Sequence, residues 1–195
     1  MNIELLRYRF KHIPKLETDR LILRSMSASD YEDMYDYAKS SELTRFLLWS
    51  PHPSSDYTKK YLKFVEKRYR TGDFYDWAIE EKESGRMIGS CGFTSIDIEH
   101  RKGEIGYVIN PEFQRRGYAV EAANAILEFG FYDLDLNRIE CRIMKENVPS
   151  FKVTQKLGMT FEGFLRDAMY VKGEYRTIGI CSILKEELEI RKNNE

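Results

Sequence analysis

Apolar residues recur along this chain with two different periods, which divide it into strands and helices. Alternation at every second position predicts strands at residues 16–24, 74–81, 86–97, 104–109, 137–145, 159–171 and 175–184. Recurrence every three to four positions predicts helices at about residues 28–39, 41–47, 56–71, 118–130 and 147–157. The resulting order, β-ααα-βββ-α-β-α-ββ, predicts an α/β fold in which helices cover the faces of one mixed sheet.

The two ends of the chain differ from this central pattern. In residues 1–15, Leu6, Tyr8 and Phe10 alternate with basic residues, which predicts an N-terminal arm that is an edge strand or a mobile terminus. Residues 189–195 form a charged tail. We therefore expect a single domain over residues 16–188 between an arm and a tail.

Composition narrows the class of protein. The 195 residues are 42% hydrophobic and 32% charged, as in an ordinary globular protein, and the net charge is −1. Nucleic-acid-binding proteins usually carry a basic surplus, so this balance argues against such a partner. We see no signal peptide and no apolar run long enough to span a membrane, and we expect a cytoplasmic protein that binds no membrane.

The cysteines and histidines show no metal-binding spacing. Cys91, Cys141 and Cys181 lie far apart in apolar, strand-like runs, and no histidine follows them at ligand spacing. Buried free thiols are the favoured interpretation, and a redox or metal role is the alternative. We predict no metal site.

A basic loop between the strand at residues 104–109 and the next helix is the main chemical feature. Its sequence, Gln114-Arg115-Arg116-Gly117-Tyr118-Ala119, follows a proline turn and leads into a helix start. The first N–H groups of a helix have no internal partners and can bind an anion, and two arginines add phosphate contacts. The loop predicts a pyrophosphate site, with a basic surface turn as the alternative.

Three segments resemble one family. QRRGYA at residues 114–119 resembles the Q/R-x-x-G-x-G/A motif of the GCN5-related N-acetyltransferases (GNAT). NVPSFKVTQKLGMTFEG at residues 147–163 resembles the family's Asn-containing helix and the strand start after it, and TDRLILR at residues 18–24 resembles the first strand of the RimJ/RimL group, which includes ribosomal-protein N-terminal acetyltransferases. The resemblance covers roughly residues 16–188.

The resemblance implies the GNAT fold, a mixed and mostly antiparallel sheet that is splayed between its fourth and fifth strands. It implies acetyl-CoA as acetyl donor, with the pantetheine arm in the splay. It also implies that the thioester lies near Val108 and Ile109, where a backbone N–H can stabilise the oxyanion. The pyrophosphate then lies on residues 114–119. Dimers are common in the family, so a homodimer is a further expectation.

Asn147 and Ser150 lie one turn apart on the predicted helix at residues 147–157. In the family this asparagine contacts pantetheine, and its alternative role is to cap the helix. Many members carry a tyrosine near the end of this helix that protonates the leaving thiolate, but Thr154 stands there. The RimJ/RimL group instead has a serine at the position of Ser150. We predict Ser150 as the proton donor, with a simple helix hydroxyl as the alternative.

The sequence indicates the residues of the acceptor side less clearly than those that would bind acetyl-CoA. Glu104 is a candidate general base and acceptor contact, with an ion pair as the alternative. Some members use an acid from a later strand, where this chain has Met169. Phe46 and Trp49 are candidate acceptor contacts or core residues, and Tyr170 lies near a hairpin that overhangs the acceptor groove in the family.

The prediction is therefore an acyltransferase that moves acetyl from acetyl-CoA directly to a primary amine in a ternary complex. Losing a proton at pH 7 costs a lysine amine roughly 4.6 kcal/mol and an α-amine roughly 1.4 kcal/mol. A site without an obvious strong base favours the α-amine of a protein N-terminus. The alternatives are a small amine, such as an aminoglycoside, polyamine or amino acid, and a non-catalytic acyl-CoA-binding module.

Overall fold

An eight-stranded sheet forms the centre of the protein in a computed structural model that describes residues 2–194, without the side chain of residue 194. The strands are β1 (Leu16–Glu17), β2 (Leu21–Arg24), β3 (Asp76–Glu81), β4 (Met87–Asp97), β5 (Lys102–Ile109), β6 (Arg138–Met144), β7 (Thr160–Val171) and β8 (Glu174–Leu184). The helices are α1 (Ile3–Lys11), α2 (Tyr31–Ala38), α3 (Ser41–Thr44), α4 (Ser55–Thr71), α5 (Tyr118–Glu128), α6 (Val148–Lys156) and α7 (Lys185–Asn194). The predicted α/β class and the central order of elements are confirmed.

The strand order across the sheet is β1-β2-β3-β4-β5-β6-β8-β7. Neighbouring strands are antiparallel except β5 and β6, which are parallel and joined through α5. A parallel pair needs a crossover connection of this kind. The prediction of a mixed, mostly antiparallel sheet is confirmed.

Each sheet face has its own apolar core because side chains alternate along a strand. Trp77 and Ile79 of β3 pack in the larger core with residues of α1 and α5, among them Phe10 and Ile126. Ala78 faces the other way and packs with residues of α2 and α4. Helices therefore cover both faces, as the patterning predicts.

The sheet is splayed at its parallel pair. β5 pairs with β6 at Lys102, Gly103 and Glu104, and the pairing ends there although β5 continues to Ile109. On its other side β5 stays paired with β4 as far as Ile109. The predicted splay between the fourth and fifth predicted strands therefore lies between β5 and β6.

The N-terminal residues are helical, so the prediction of an extended arm is wrong. The Asn2 side chain caps α1 by accepting from the Leu5 N–H at 2.9 Å. Leu6 and Phe10 are buried while Tyr8 between them is 63% exposed. Leu6 and Phe10 are four residues apart, a spacing that fits a helix as well as alternation. The arm is thus part of the core.

Two other boundaries differ from the predictions. The strand predicted at residues 16–24 is two strands, since the chain turns between Glu17 and Leu21, where the Thr18 N–H donates to the Leu21 carbonyl. Residues 189–194 of the segment predicted as a charged tail belong to α7, whose Leu188 is buried in the core, and residue 195 lies outside the described residues. One buried leucine among charged residues gives little periodic signal in the sequence.

Candidate active site

A cavity of about 430 Å³ passes through the splay between β5 and β6. Asp76, Ser90 and Glu104 line it from the sheet face that carries α2 and α4. Tyr107 and Ser150 line it from the opposite face, which carries α6. The cavity therefore joins the two faces of the sheet, so two reactants that enter from opposite sides can meet in it.

The loop before α5 has the backbone geometry of an anion site. Arg115 and Gly117 have φ values of 62° and 88°, in the left-handed region. Gly117 caps α5 and offers no side-chain hydrogen bond to its first N–H groups. A turn with left-handed residues directs successive N–H groups to one side, where they bind anions. Such φ values are easy for glycine, whereas Arg115 pays for them in strain.

The side chains of the predicted loop residues divide into two groups. Arg115 and Arg116 are exposed and can approach a ligand, whereas Ala119 packs on the core. Gln114 donates from Nε2 to the Ile109 carbonyl at 2.9 Å, which ties the loop to the end of β5. Tyr118 is 6% exposed and its hydroxyl donates to Glu81. Tyr118 therefore leaves only its backbone for a ligand.

Arg20 lies beside this loop, and sequence reasoning missed it. Its guanidinium donates to the Arg116 carbonyl at 3.0 Å and to Glu121 at 2.7 Å, and it stacks over the Tyr118 ring at 4.5 Å. Arg20 thereby fixes the position of the loop against the first turn of α5. The contact joins residues about a hundred positions apart, so no local sequence signal indicates it.

The free edge of β5 faces the splay. The Cys141 thiol donates to the Ile105 carbonyl across the gap at 3.5 Å. Because successive peptide groups of a strand point to opposite sides, the backbone groups of Tyr107 and Ile109 face the gap as well. Val108 pairs with Ser90 of β4, and its side chain lines the cavity. Of the two residues predicted near the thioester, Ile109 turns its N–H toward the splay.

Asn147 caps α6, with its side chain accepting from the Ser150 N–H at 3.4 Å. Pro149 follows within the first turn, where a missing N–H costs nothing. The capping role considered for Asn147 is therefore present, and the residue also lines the cavity. Thr154 is buried and bonds to the Phe151 carbonyl, so it does not replace the tyrosine of other members.

Ser150 forms a hydroxyl pair with Tyr107. The two oxygens are 2.8 Å apart, and the tyrosine hydroxyl also lies 3.2 Å from the Ser150 carbonyl. Burial raises the pKa of Tyr107 well above its ordinary value, so the phenol keeps its proton at neutral pH. The family pattern places a tyrosine on α6 and so gives no signal for Tyr107, which strand alternation in β5 turns toward Ser150.

Glu104 is engaged by two neighbours. Its carboxylate lies 3.2 Å from the Arg142 guanidinium and accepts from the Thr94 hydroxyl at 2.9 Å. The ion pair considered as its alternative role is therefore present. Thr94 and Arg142 thus engage both carboxylate oxygens, which weighs against the prediction of Glu104 as general base.

Asp76 is a second acid on the cavity wall that sequence reasoning missed. Burial raises its pKa from 3.8 to about 7, against the opposing effect of hydrogen bonds from Ser90 and from the Trp77 N–H. A lone aspartate at the start of an apolar strand is not distinctive in a sequence. The surroundings of Asp76 depend on α4, a helix that ends several residues upstream and contains no distinctive motif.

The residues predicted as acceptor contacts lie in different surroundings. Phe46 and Trp49 line the cavity near Tyr61 and Met169. Tyr170 lies outside it, 67% exposed and stacked against Tyr175 at 5.0 Å between ring centres. The alternation of β7 explains the difference, because Met169 faces the cavity and its neighbour must face away.

The three cysteines are free and buried. Burial raises the pKa of Cys91 and of Cys141, which makes both thiols poor nucleophiles. Within residues 2–194, no group of three or more His, Cys, Asp or Glu side chains could hold a metal ion. No helix among the same residues has the length and apolarity needed to cross a membrane.

A sheet splayed at one parallel pair, with an uncapped helix start beside the splay, is the arrangement that the resemblance to the GNAT family implies. Residues 20–160 match the family described as "Acetyltransferase (GNAT) domain". The chain belongs to this family, and the predicted N-acetyltransferase class is confirmed.

Several known proteins align with most of the chain. It is 33% identical over 172 residues to "Uncharacterized N-acetyltransferase p20" of Bacillus licheniformis, covering 88% of this chain and 97% of the relative. It is 27% identical to "Putative ribosomal N-acetyltransferase YdaF" of Bacillus subtilis, covering 89% and 96%, which supports the RimJ/RimL-like link. It is also 27% identical to a spermidine N(1)-acetyltransferase of Escherichia coli, covering 82% and 83%.

A solved structure agrees with the fold. The crystal structure of a GNAT-family acetyltransferase from Bacillus anthracis superimposes with a TM-score of 0.79 at 26% identity, covering 89% of this chain and 99% of that one. The GNAT fold predicted from the three motifs is confirmed.

Proposed function

We propose that this N-acetyltransferase transfers acetyl from acetyl-CoA to the α-amine of a protein N-terminus, by direct attack in a ternary complex. The observation that carries the proposal is the cavity that joins both sheet faces through the splay. Donor and acceptor can occupy it together, so no covalent acetyl-enzyme is needed. A cytoplasmic location is part of the proposal, because ribosomal proteins would be met there.

The residues of the donor side fit acetyl-CoA. The uncapped start of α5 and the left-handed Arg115 and Gly117 support pyrophosphate binding by the loop. In this proposal Arg116 adds charge, and Asn147 contacts the pantetheine arm at the splay. The Ile109 N–H then lies where it can stabilise the oxyanion of the thioester carbonyl.

The charges of the acceptor side favour one ammonium group. Three carboxylates line the cavity, those of Asp73, Asp76 and Glu104. Asp73 pairs with Arg7 at 3.3 Å and Glu104 pairs with Arg142. Asp76 has no ion pair within the described part of the chain, so a single carboxylate is available to a cation. A polyamine presents several charges and would leave most of them unmatched.

A small amine is the second candidate acceptor. The spermidine acetyltransferase of Escherichia coli is as similar to this chain as the ribosomal relative is, which supports it. The two candidates differ in what must fit beyond the reacting nitrogen, since a peptide chain must continue out of the cavity, whose lining includes Phe46 and Trp49.

The test is a thiol-release screen with acetyl-CoA. Peptides with free N-termini, the same peptides with blocked N-termini, polyamines, aminoglycosides and free amino acids are compared, and mass spectrometry locates the acetyl group. We expect release with free N-terminal peptides and none with blocked ones. Release with polyamines alone would overturn the α-amine assignment. Binding of acetyl-CoA without release on any acceptor would favour the non-catalytic module.

A further inference from the structure

Asp76 has a defined place on the acceptor wall of the cavity. It begins β3 and shares a sheet face with Ser90 and Glu104, whereas Trp77 turns to the opposite core. Across the sheet Asp76 is paired with Gly92. A Cβ at Gly92 would lie 2.8 Å from Asp76 Oδ1 and 2.4 Å from its Cα. Glycine at this position therefore leaves the space that the aspartate needs.

The Asp76 carboxylate accepts hydrogen bonds but forms no ion pair with any residue that the structure describes. The Trp77 N–H donates to Oδ1 at 3.1 Å, and the Ser90 side chain supplies a second hydrogen bond. The other two cavity acids are paired with arginines, as described above. A half-buried carboxylate that is held in place and has no ion-pair partner is a site prepared for a positively charged group.

Aromatic residues form part of the wall of the cavity that holds this carboxylate. Phe74 and Tyr75 precede it in the chain and line the same cavity, together with Tyr61 of α4. The Tyr69 hydroxyl donates to the Asp76 carbonyl at 2.6 Å and so fixes the backbone. Aromatic walls exclude water and favour an ammonium ion next to them.

Burial raises the pKa of Asp76 to about 7. Burial also raises the pKa of Tyr37 on α2 and of Tyr61 and Tyr69 on α4, so these phenols stay neutral. The charged neighbours are Arg68, which donates to the Asp73 carbonyl, and the Glu104–Arg142 pair. Cys91 of β4 is buried behind the sheet with a raised pKa.

We propose that the Asp76 carboxylate binds the acceptor ammonium and takes its proton, acting as the general base of acetyl transfer. This inference rests on the proposed function and assigns to Asp76 the role predicted for Glu104. A base near its substrate contributes typically a factor of 10² to 10⁴ in rate.

The protons balance in this scheme. The ammonium gives one proton to Asp76, and the free amine attacks the thioester carbonyl carbon. A C–N bond forms and the C–S bond breaks, with its electron pair leaving on sulfur. The nitrogen then loses a second proton to solvent. The thiolate takes a proton from the Ser150 hydroxyl, which is reprotonated through Tyr107 from solvent, so these two transfers cancel. Asp76 then releases its proton to solvent.

The test compares Asp76→Asn with wild type in steady-state kinetics across pH, using the acceptor found in the screen. We expect kcat/KM at pH 7 to fall about 100-fold or more, with the acetyl-CoA Kd unchanged. The acidic limb of the wild-type profile should move upward in the variant to follow the pKa of the amine itself. Asp56→Asn, at an exposed position of α4, is the matched control and should keep wild-type kinetics.

A series of acceptors with falling amine pKa separates a chemical role from a structural one. The deficit of Asp76→Asn should shrink as the amine becomes easier to deprotonate, and a purely structural defect would be equal for all acceptors. If the wild type does acetylate amines and Asp76→Asn keeps the same rate, the role of Asp76 is overturned. A wild type that acetylates nothing instead overturns the proposed function. Thermal melting of both variants confirms that they are folded.

Discussion

The hydroxyl oxygens of Tyr107 and Ser150 lie 2.8 Å apart across the splay, one on β5 and the other on α6. β5 and α6 come together beyond Glu104, where the β5–β6 pairing has ended. Both residues line the cavity that would hold the thioester sulfur. The pair therefore offers a hydroxyl whose proton can be replaced from a neighbour as soon as it is donated.

Removing either hydroxyl should slow the reaction without releasing the donor. We expect Ser150→Ala and Tyr107→Phe each to lower kcat at least tenfold, because thiolate departure loses its proton source. Cofactor Kd, measured by calorimetry, should change little. If the two hydroxyls act as a unit, the double variant will be about as slow as the slower single variant.

Two exposed positions provide controls for these variants. Ser95→Ala and Tyr132→Phe alter the same atoms at exposed positions outside the cavity, and we expect wild-type rates from both. An unaltered kcat in Ser150→Ala removes this residue from catalysis. Strictly additive losses in the double variant would instead show two independent contributions.

Arg116→Glu should weaken donor binding. The side chain is exposed beside the uncapped start of α5, and charge reversal there opposes a pyrophosphate. We expect the acetyl-CoA Kd to rise at least tenfold, about 1.4 kcal/mol, and the difference from wild type to shrink at high salt. Arg166→Glu reverses an exposed charge on β7 and is the control. Equal affinities in a folded Arg116 variant would contradict the loop assignment.

Local features of the sequence predicted the fold well, and contacts between distant segments were the part it could not predict. The loop Gln114–Ala119, the cap at Asn147 and the alternation of β5 are all local patterns. The ion pair of Glu104, the Tyr107–Ser150 pair and the environment of Asp76 join segments that are far apart in the chain. Residue type alone does not reveal whether a carboxylate is paired, and pairing decides which acid can act as a base.

Asp76 should make the stability of the protein depend on pH. Its pKa is near 3.8 when exposed in the unfolded chain and about 7 in the fold, so the folded state holds the proton more tightly. Stabilisation by this proton is complete below about pH 4 and is lost as the pH rises through 7. Asp76→Asn should therefore be more stable than wild type at pH 8, by on the order of 1 kcal/mol, and lose this advantage at pH 4.

Urea unfolding at pH 4, 6 and 8 measures this difference, with Asp56→Asn as the exposed control. If Asp76→Asn is destabilised equally at every pH, the ionised Asp76 carboxylate does not destabilise the folded state. If Asp76→Asn is more stable than wild type at pH 8 but has a lower rate, Asp76 lowers stability and supports catalysis, as expected of a functional residue.

The N-terminal helix α1 should be essential for stability, in contrast to a mobile arm. Phe10 is fully buried and its ring meets those of Tyr75, Trp77 and Phe129 in edge-to-face contacts at 4.5–6.1 Å. Phe10→Ala should lower the free energy of unfolding by about 3–5 kcal/mol through lost burial and the cavity left behind. Tyr8→Ala, at a 63% exposed position of the same helix, should cost well under that. Because Tyr75 also lines the cavity, a stable Phe10→Ala protein with normal activity would show that α1 does not support the acceptor wall.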